Sequence, residues 1–168
     1  MSRTIYAKPL TREGFAPFGD VIDKSGVDER IPINNGHARR LPPLGEAVSH
    51  GPGSKVAISI VEGYPYYCPL RLELVERHPL GSQAFIPLSP QPFLVIVCRD
   101  EAGVPGTPQA FITSPYQGVN YHHNVWHGVL TPLDRPQDFL IIDRLGEGSN
   151  LEEYKFDCPW EIELPPTA

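Results

Sequence analysis

Apolar and polar residues alternate one by one along Leu70–Val75, Leu-Arg-Leu-Glu-Leu-Val. The alternation puts Leu70, Leu72 and Leu74 on one face and Arg71, Glu73 and Val75 on the other. Such a period of two predicts a half-buried strand. Carried onward, it points Glu76 and His78 the same way as the leucines, so two ionisable side chains end an inward-facing row. Inward ionisable groups are costly unless they are paired, metal-bound or lining a wet cavity. Glu76 and His78 are therefore the first candidates for chemistry. A turn over His78–Ser82, suited by Pro79 and Gly81, leads into a second extended run ending at Pro87.

The rest of the chain reads in the same short periods. Ile5–Lys8 predicts an opening strand, and Thr11 an N-cap for a short helical turn ending near Phe15. Val21-Ile22 is extended, and Ile31–Gly36 is a strand running into an Asn-Gly turn. Leu41–Ser54 reads as a surface loop, with a lid over a site as the lesser alternative. Val56–Glu62 predicts a strand with Val56, Ile58 and Ile60 on one face. Phe93–Cys98 is apolar at every position, as in a strand buried on both sides. Gln109–Thr113, Gly118–His122, Trp126–Leu130 and Asp138–Asp143 continue the series. From Gly146 the chain is acidic and irregular, and Leu151–Phe156 reads as either one helical turn or an edge strand. About ten short strands with few short helices predict an all-β fold, an antiparallel β-barrel or jelly roll, in one domain over 1–168. A small ligand would sit inside such a barrel.

Composition narrows the function classes. With 20 prolines and 15 glycines in 168 residues, long helices have little room. A net charge of −6 and no basic run longer than Arg39-Arg40 argue against nucleic acid or an anionic membrane as partner. Cys68, Cys98 and Cys158 have no Cys-x-x-Cys spacing, so neither a disulfide framework nor a thiolate zinc site is implied. The first residues lack the apolar core of a signal peptide, and no apolar run approaches membrane-spanning length. A cytoplasmic protein acting on a small molecule is the expectation.

Two segments hold the chemistry-bearing residues: Glu76-x-His78-x4-Gln83, and Gly118–Gly128, which contains Tyr121, His122, His123, Trp126 and His127. The spacing of Glu76, His78 and Gln83 resembles the first motif of cupins, His-x-His-x(3,4)-Glu, and His127 resembles the histidine of the second. Glu stands for the first His here and Gln for the Glu. Two imidazoles and a carboxylate (His78, His127, Glu76) suit a first-row divalent metal, with the neutral Gln83 as a weaker donor. His123-x3-His127 has the spacing of a helical zinc-protease motif, but Asn124 stands where that motif needs Glu, and Val125-Trp126 favour strand. If the segment is one uninterrupted strand, His123 and His127 share a face; a turn at Asn124 would separate them. Tyr121 reads most simply as a packed aromatic.

Longer motifs give a closer match. Glu76–Pro87 (Glu-Arg-His-Pro-Leu-Gly-Ser-Gln-Ala-Phe-Ile-Pro), Gly-Val-Asn-Tyr-x4-Trp-His at Gly118–His127, Asn-Asn-Gly at Asn34–Gly36 and Asp-Phe-Leu-x-Ile-Asp-Arg at Asp138–Arg144 resemble the signatures of ureidoglycolate lyases. That resemblance implies a cupin-type barrel, usually a homodimer, which cleaves ureidoglycolate to glyoxylate and urea in allantoin breakdown, in some descriptions with nickel. The cleavage needs a base for the carbinol proton and an acid for the departing nitrogen. Glu76, His78, Gln83 and His127 are the candidate catalytic residues, and Asn34, Tyr121, His122 and Trp126 the candidate substrate-binding ones. Lys55, Arg71, Arg77 and Arg144 are the cations available for the substrate carboxylate, Arg77 the least suited because it alternates away from His78. Two other readings stand beside the lyase: a metal-dependent cupin isomerase or dioxygenase acting on another small acid, and a metabolite-binding barrel without catalysis.

Overall fold

A computed structural model describes residues 3–165, so Pro166 of the Pro165-Pro166 pair lies outside the described residues. In chain order the elements are β1 (Arg3–Tyr6), β2 (Lys8–Pro9), α1 (Arg12–Phe15), β3 (Gly19–Ile22), β4 (Ile31–Ile33), β5 (Ala38–Arg40) and β6 (Lys55–Gly63). Then follow β7 (Leu70–Arg77), β8 (Gln83–Pro87), β9 (Phe93–Cys98), β10 (Asp100–Glu101), β11 (Val104–Pro105) and β12 (Gln109–Ile112). The last are β13 (Gly118–Tyr121), β14 (Trp126–His127), β15 (Thr131–Pro132), β16 (Gln137–Leu145) and β17 (Glu152–Glu163). The helical turn α1 is capped as its sequence asks, with Thr11 Oγ1 accepting from the Gly14 amide at 3.1 Å.

The strands form a nearly closed, barrel-like pair of sheets, as expected of a cupin-like fold. The larger sheet runs β1-β17-β7-β14-β9-β12-β2, with β15 also on β9, the one facing it runs β3-β13-β8-β16-β6, and β4–β5 and β10–β11 form separate two-stranded ribbons. Pairing is antiparallel except for β1 with β17 and β2 with β12. The predicted Ile5–Lys8 strand is thus divided: its two ends join opposite edges of the larger sheet. Between the sheets, Phe93, Val95 and Val97 of β9 pack with Phe85, Val119, Phe139 and Ile141. Leu94, Ile96 and Cys98, from the alternate positions, join a second cluster with Val75, Trp126 and Ile162. All six residues of β9 are buried, which explains its unbroken apolar run. β3 can lie close to β13 because residue 19 is glycine: a Cβ there would fall 2.0 Å from the Asn120 carbonyl oxygen.

Four expectations need correction. Leu70 and Leu72 do not share a face with Glu76; they join the second cluster together with Val75, a residue of opposite parity. The alternation slips between Leu72 and Val75, where the partner strand shifts register between Lys155 and Trp160. The segment read as irregular after Gly146 contains the twelve-residue β17, which is flanked on both sides by β1 and β7. Its shift conceals the period from sequence. The predicted strand Trp126–Leu130 is only Trp126–His127, because the ladder breaks after Gly128, whose amide still donates to the Ile96 carbonyl at 2.8 Å. The Leu41–Ser54 loop is also more than a free surface loop. Val48 N donates to Ser82 Oγ (2.7 Å), Ser82 N to the Val48 carbonyl (3.0 Å) and His50 N to the Leu80 carbonyl (2.8 Å), tying it across the turn after His78.

Among the described residues no helix is long and apolar enough to cross a membrane.

Candidate active site

β14 is only two residues long, yet it places the central group. His127 sits in register with Glu76 of β7 on one side and with Val97 of β9 on the other. Since Val97 faces the space between the sheets, His127 and Glu76 face it too. The β13–β14 turn makes this possible. Asn124 takes a left-handed backbone (φ 64°), and its amide donates to the His78 carbonyl at 2.8 Å. The turn therefore pins the end of β7 and separates His123 from His127: His123 is exposed and His127 fully buried.

Potential ligand atoms of Glu76, His78 and His127 lie within 4.8 Å of one another. His78 Nδ1 is 2.7 Å from the Asn150 carbonyl and His127 Nδ1 is 2.9 Å from that of Gly128. A carbonyl only accepts, so each Nδ1 carries a proton, and in the neutral ring each Nε2 keeps its lone pair. Both Nε2 atoms are buried without a hydrogen-bond partner, as is Gln83 Oε1. Three buried acceptors without donors, beside a carboxylate, form a site that asks for a cation or for the N–H and O–H groups of a ligand. The donor set suits a divalent metal, and Glu76, His78 and His127 would be its ligands.

The charges are set by the same geometry. Glu76 Oε1 is 3.7 Å from His78 Nε2, an ion-pair contact longer than a hydrogen bond. The neighbouring His78, with His127 beyond it, holds the Glu76 carboxyl below its usual range despite burial. Burial disfavours a charged His78, but Glu76, the Asn150 carbonyl and Gln83 together outweigh it and raise its pKa. His127, wholly enclosed, is pushed down to about 4 by burial, only partly offset by the Gly128 carbonyl. Near neutral pH the cluster holds an ionised carboxylate, an imidazole inclined to keep its proton, and a neutral imidazole. Tyr121 stacks on His127 with ring centroids 4.3 Å apart and planes 7° from parallel. Burial, and then the Glu76 charge, raise its phenol pKa, so it stays neutral.

The other candidates are dispersed. Gln83, opposite Tyr121 in the β8–β13 register, faces the cluster. Trp126 turns the other way: its indole Nε1 donates to Asp100 Oδ1 at 3.0 Å, and the Arg77 guanidinium lies 4.2 Å above its ring. His122 lies 3.3 Å from Asp20 Oδ1 in a separate cavity of about 450 Å³ beneath the 43–48 segment. Asn34 sits on the exposed turn between β4 and β5, with φ 52°. Among the four cations, Arg71 is paired with Glu73 at 2.8 Å and Arg77 with Asp100 and Glu152. Lys55 is exposed at the start of β6, whereas Arg144 borders the same cavity as His78 and Gln83. Sequence reasoning missed Asn150. Its carbonyl orients His78 and its side-chain oxygen accepts from the Leu80 amide at 2.7 Å, contacts across about seventy residues that no local pattern signals.

Fold and site together define a small cupin-like β-barrel protein in which a buried His127 and the half-buried Glu76 and His78 cluster. The family model for ureidoglycolate lyase matches residues 2–163, and the chain belongs to that family. It is 63% identical over 161 residues to a ureidoglycolate lyase of Mesorhizobium japonicum, covering 96% of this chain and 98% of that one. It is 58% identical over 164 residues to that of a Chelativorans species, covering 97% and 98%. With that of Agrobacterium fabrum it shares 46% identity over 165 residues, covering 98% and 99%.

Proposed function

We propose that this protein is an enzyme that cleaves ureidoglycolate to glyoxylate and urea, the activity that its relatives' names carry, in the breakdown of purine-derived allantoin. The observation that carries the site assignment is the gathering of three unpartnered buried polar atoms, His78 Nε2, His127 Nε2 and Gln83 Oε1, beside an ionised Glu76. The substrate is a carbinolamide. Its hydroxyl proton must leave, the C–N electron pair must move to nitrogen, and that nitrogen must gain a proton; no water is consumed. Glu76 takes the hydroxyl proton and His78 delivers one to the departing nitrogen. The opposed shifts of their pKa values suit these roles. Gln83 Oε1 accepts from the ureido N–H groups. The neutral His127 keeps an Nε2 acceptor facing the same space. A divalent metal held by Glu76, His78 and His127, nickel by family resemblance, would polarise the carbinol oxygen and lower its pKa. Metal binding and proton transfer by Glu76 and His78 compete for the same lone pairs, so chelation separates them. Glyoxylate release that ends on chelation and returns with added metal assigns the three residues as ligands. Release that survives complete demetallation leaves them as a metal-free acid–base set.

A cytoplasmic homodimer completes the proposal. Cys68, Cys98 and Cys158 are free thiols, as suits a reducing compartment. β6 is a nine-residue edge strand whose Val56, Ile58 and Ile60 are exposed by 48, 70 and 55%. Long apolar edges invite strand pairing unless they are covered. A second copy running antiparallel would set the two apolar rows together and bring Lys55 near Glu62 of its partner. Ile58→Asp is expected to convert a dimer to monomers in sedimentation; a dimer unchanged by it would exclude this edge as the interface.

A further inference from the structure

The lyase substrate carries a carboxylate, and the cluster of Glu76, His78 and His127 offers no permanent cation for it. We infer that Arg144 is the residue that receives this carboxylate and selects for acid substrates, an inference that rests on the lyase reading. A cavity of about 260 Å³ joins Arg144 to His78 and Gln83, with Asp143 and Asn150 also on its wall. The guanidinium is held in place: Nε donates to the His50 carbonyl at 2.7 Å and Nη2 to that of Glu147 at 2.6 Å. Both are neutral acceptors, so the positive charge is not cancelled. Among the described residues no carboxylate forms an ion pair with Arg144, whereas Arg71 and Arg77 are each matched by one or two.

Three glycines make room for this side chain. A Cβ at Gly81 would fall 2.5 Å from Arg144 Cβ, one at Gly146 would fall 2.8 Å from Nη2, and one at Gly51 3.2 Å from Nη2. Each belongs to a different loop at this end of the barrel, so the loops close around an oriented guanidinium whose Nη1 makes no protein hydrogen bond among the described residues. An oriented guanidinium binds a carboxylate with a fixed geometry that a point charge lacks. The rest of the cavity has the opposite preference. Asp143 and Gln83 Oε1 are acceptors that suit ureido N–H groups and repel a carboxylate. The two ends of the substrate are thereby told apart, with the acid toward Arg144 and the ureido group toward Gln83.

Calorimetry with two unreactive analogues tests this without turnover. N-carbamoylglycine keeps the ureido group and the carboxylate but lacks the hydroxyl; N-carbamoylglycinamide is its neutral amide. The wild type is expected to prefer the acid. Arg144→Met should weaken acid binding by about 10²-fold, the worth of a charge-assisted contact, and leave the amide within about threefold. Arg144→Lys, which preserves charge and bulk, should fall between. Parallel weakening of both analogues would reduce Arg144 to a tie between loops and overturn the assignment. So would a wild type that does not distinguish them, or binds neither. Acid binding that depends on Arg144 in a protein that releases no glyoxylate from ureidoglycolate would refute the lyase reading and leave the carboxylate site standing.

Discussion

Replacing Glu76 by Gln is expected to lower kcat/KM for ureidoglycolate by about 10³-fold, within the range for removal of a general base. The substitution is nearly isosteric. It removes the charge that raises the His78 pKa and the only carboxylate in the cluster. Both roles proposed for the residue are lost together, because an amide neither accepts the carbinol proton nor serves as an anionic ligand. The fold should survive, since β7 is held by pairing with β14 and β17 and by Leu72 and Val75 in the core. A variant that keeps its melting temperature but loses activity supports the assignment; one that retains more than about a tenth of wild-type kcat/KM would remove Glu76 from the chemistry.

His127→Phe should lower activity by at least about 10²-fold, whether His127 holds a metal or offers its lone pair to the substrate. It should also change how stability responds to acid in the metal-free protein. The folded state holds His127 at about 4, against 6.5 for the free side chain. Above 6.5 neither the folded nor the unfolded chain protonates this ring, and it contributes nothing to the pH dependence. As pH falls from 6.5 toward 4, the unfolded chain takes up a proton that the folded one refuses, so stability drops, by about 3 kcal/mol at the lower end. Phenylalanine keeps a flat ring on Tyr121 and has no proton to bind. Chelator-treated wild type should therefore lose more stability than the variant over this interval in denaturant titrations. Parallel curves would show that His127 is not held neutral in the folded protein.

Much of this fold was written in periodicities. The unbroken apolar run Phe93–Cys98 predicts the strand at the junction of the two buried clusters, and it lies there because both its faces are covered. Glu76 and His78 stood out as ionisable positions in an otherwise apolar row, and the structure brings them together with His127. Leu70 and Leu72 nonetheless belong to a different face from Glu76, because the alternation slips before Val75. The correct pairing of Glu76 with His127 depends on β14, a two-residue strand with no local signature. β17 reads from sequence as either one helical turn or an edge strand because its register shift interrupts the alternation. Asn150 and the strap formed by the 41–54 loop depend on contacts between distant segments, which a local reading does not reach. Val56, Ile58 and Ile60 share one strand face, as the alternation predicts, and that face is exposed on an edge strand; sequence pattern registers an apolar face without saying what covers it.

Product analysis is the most direct test of the central claim. Purified wild-type protein, with Glu76→Gln in parallel, would be given ureidoglycolate while glyoxylate, urea and ammonia are all measured. The account predicts one glyoxylate and one urea per substrate consumed, no ammonia, and near-complete loss of both products in the variant. Release of ammonia in place of urea, or equal product formation by wild type and variant, would contradict it.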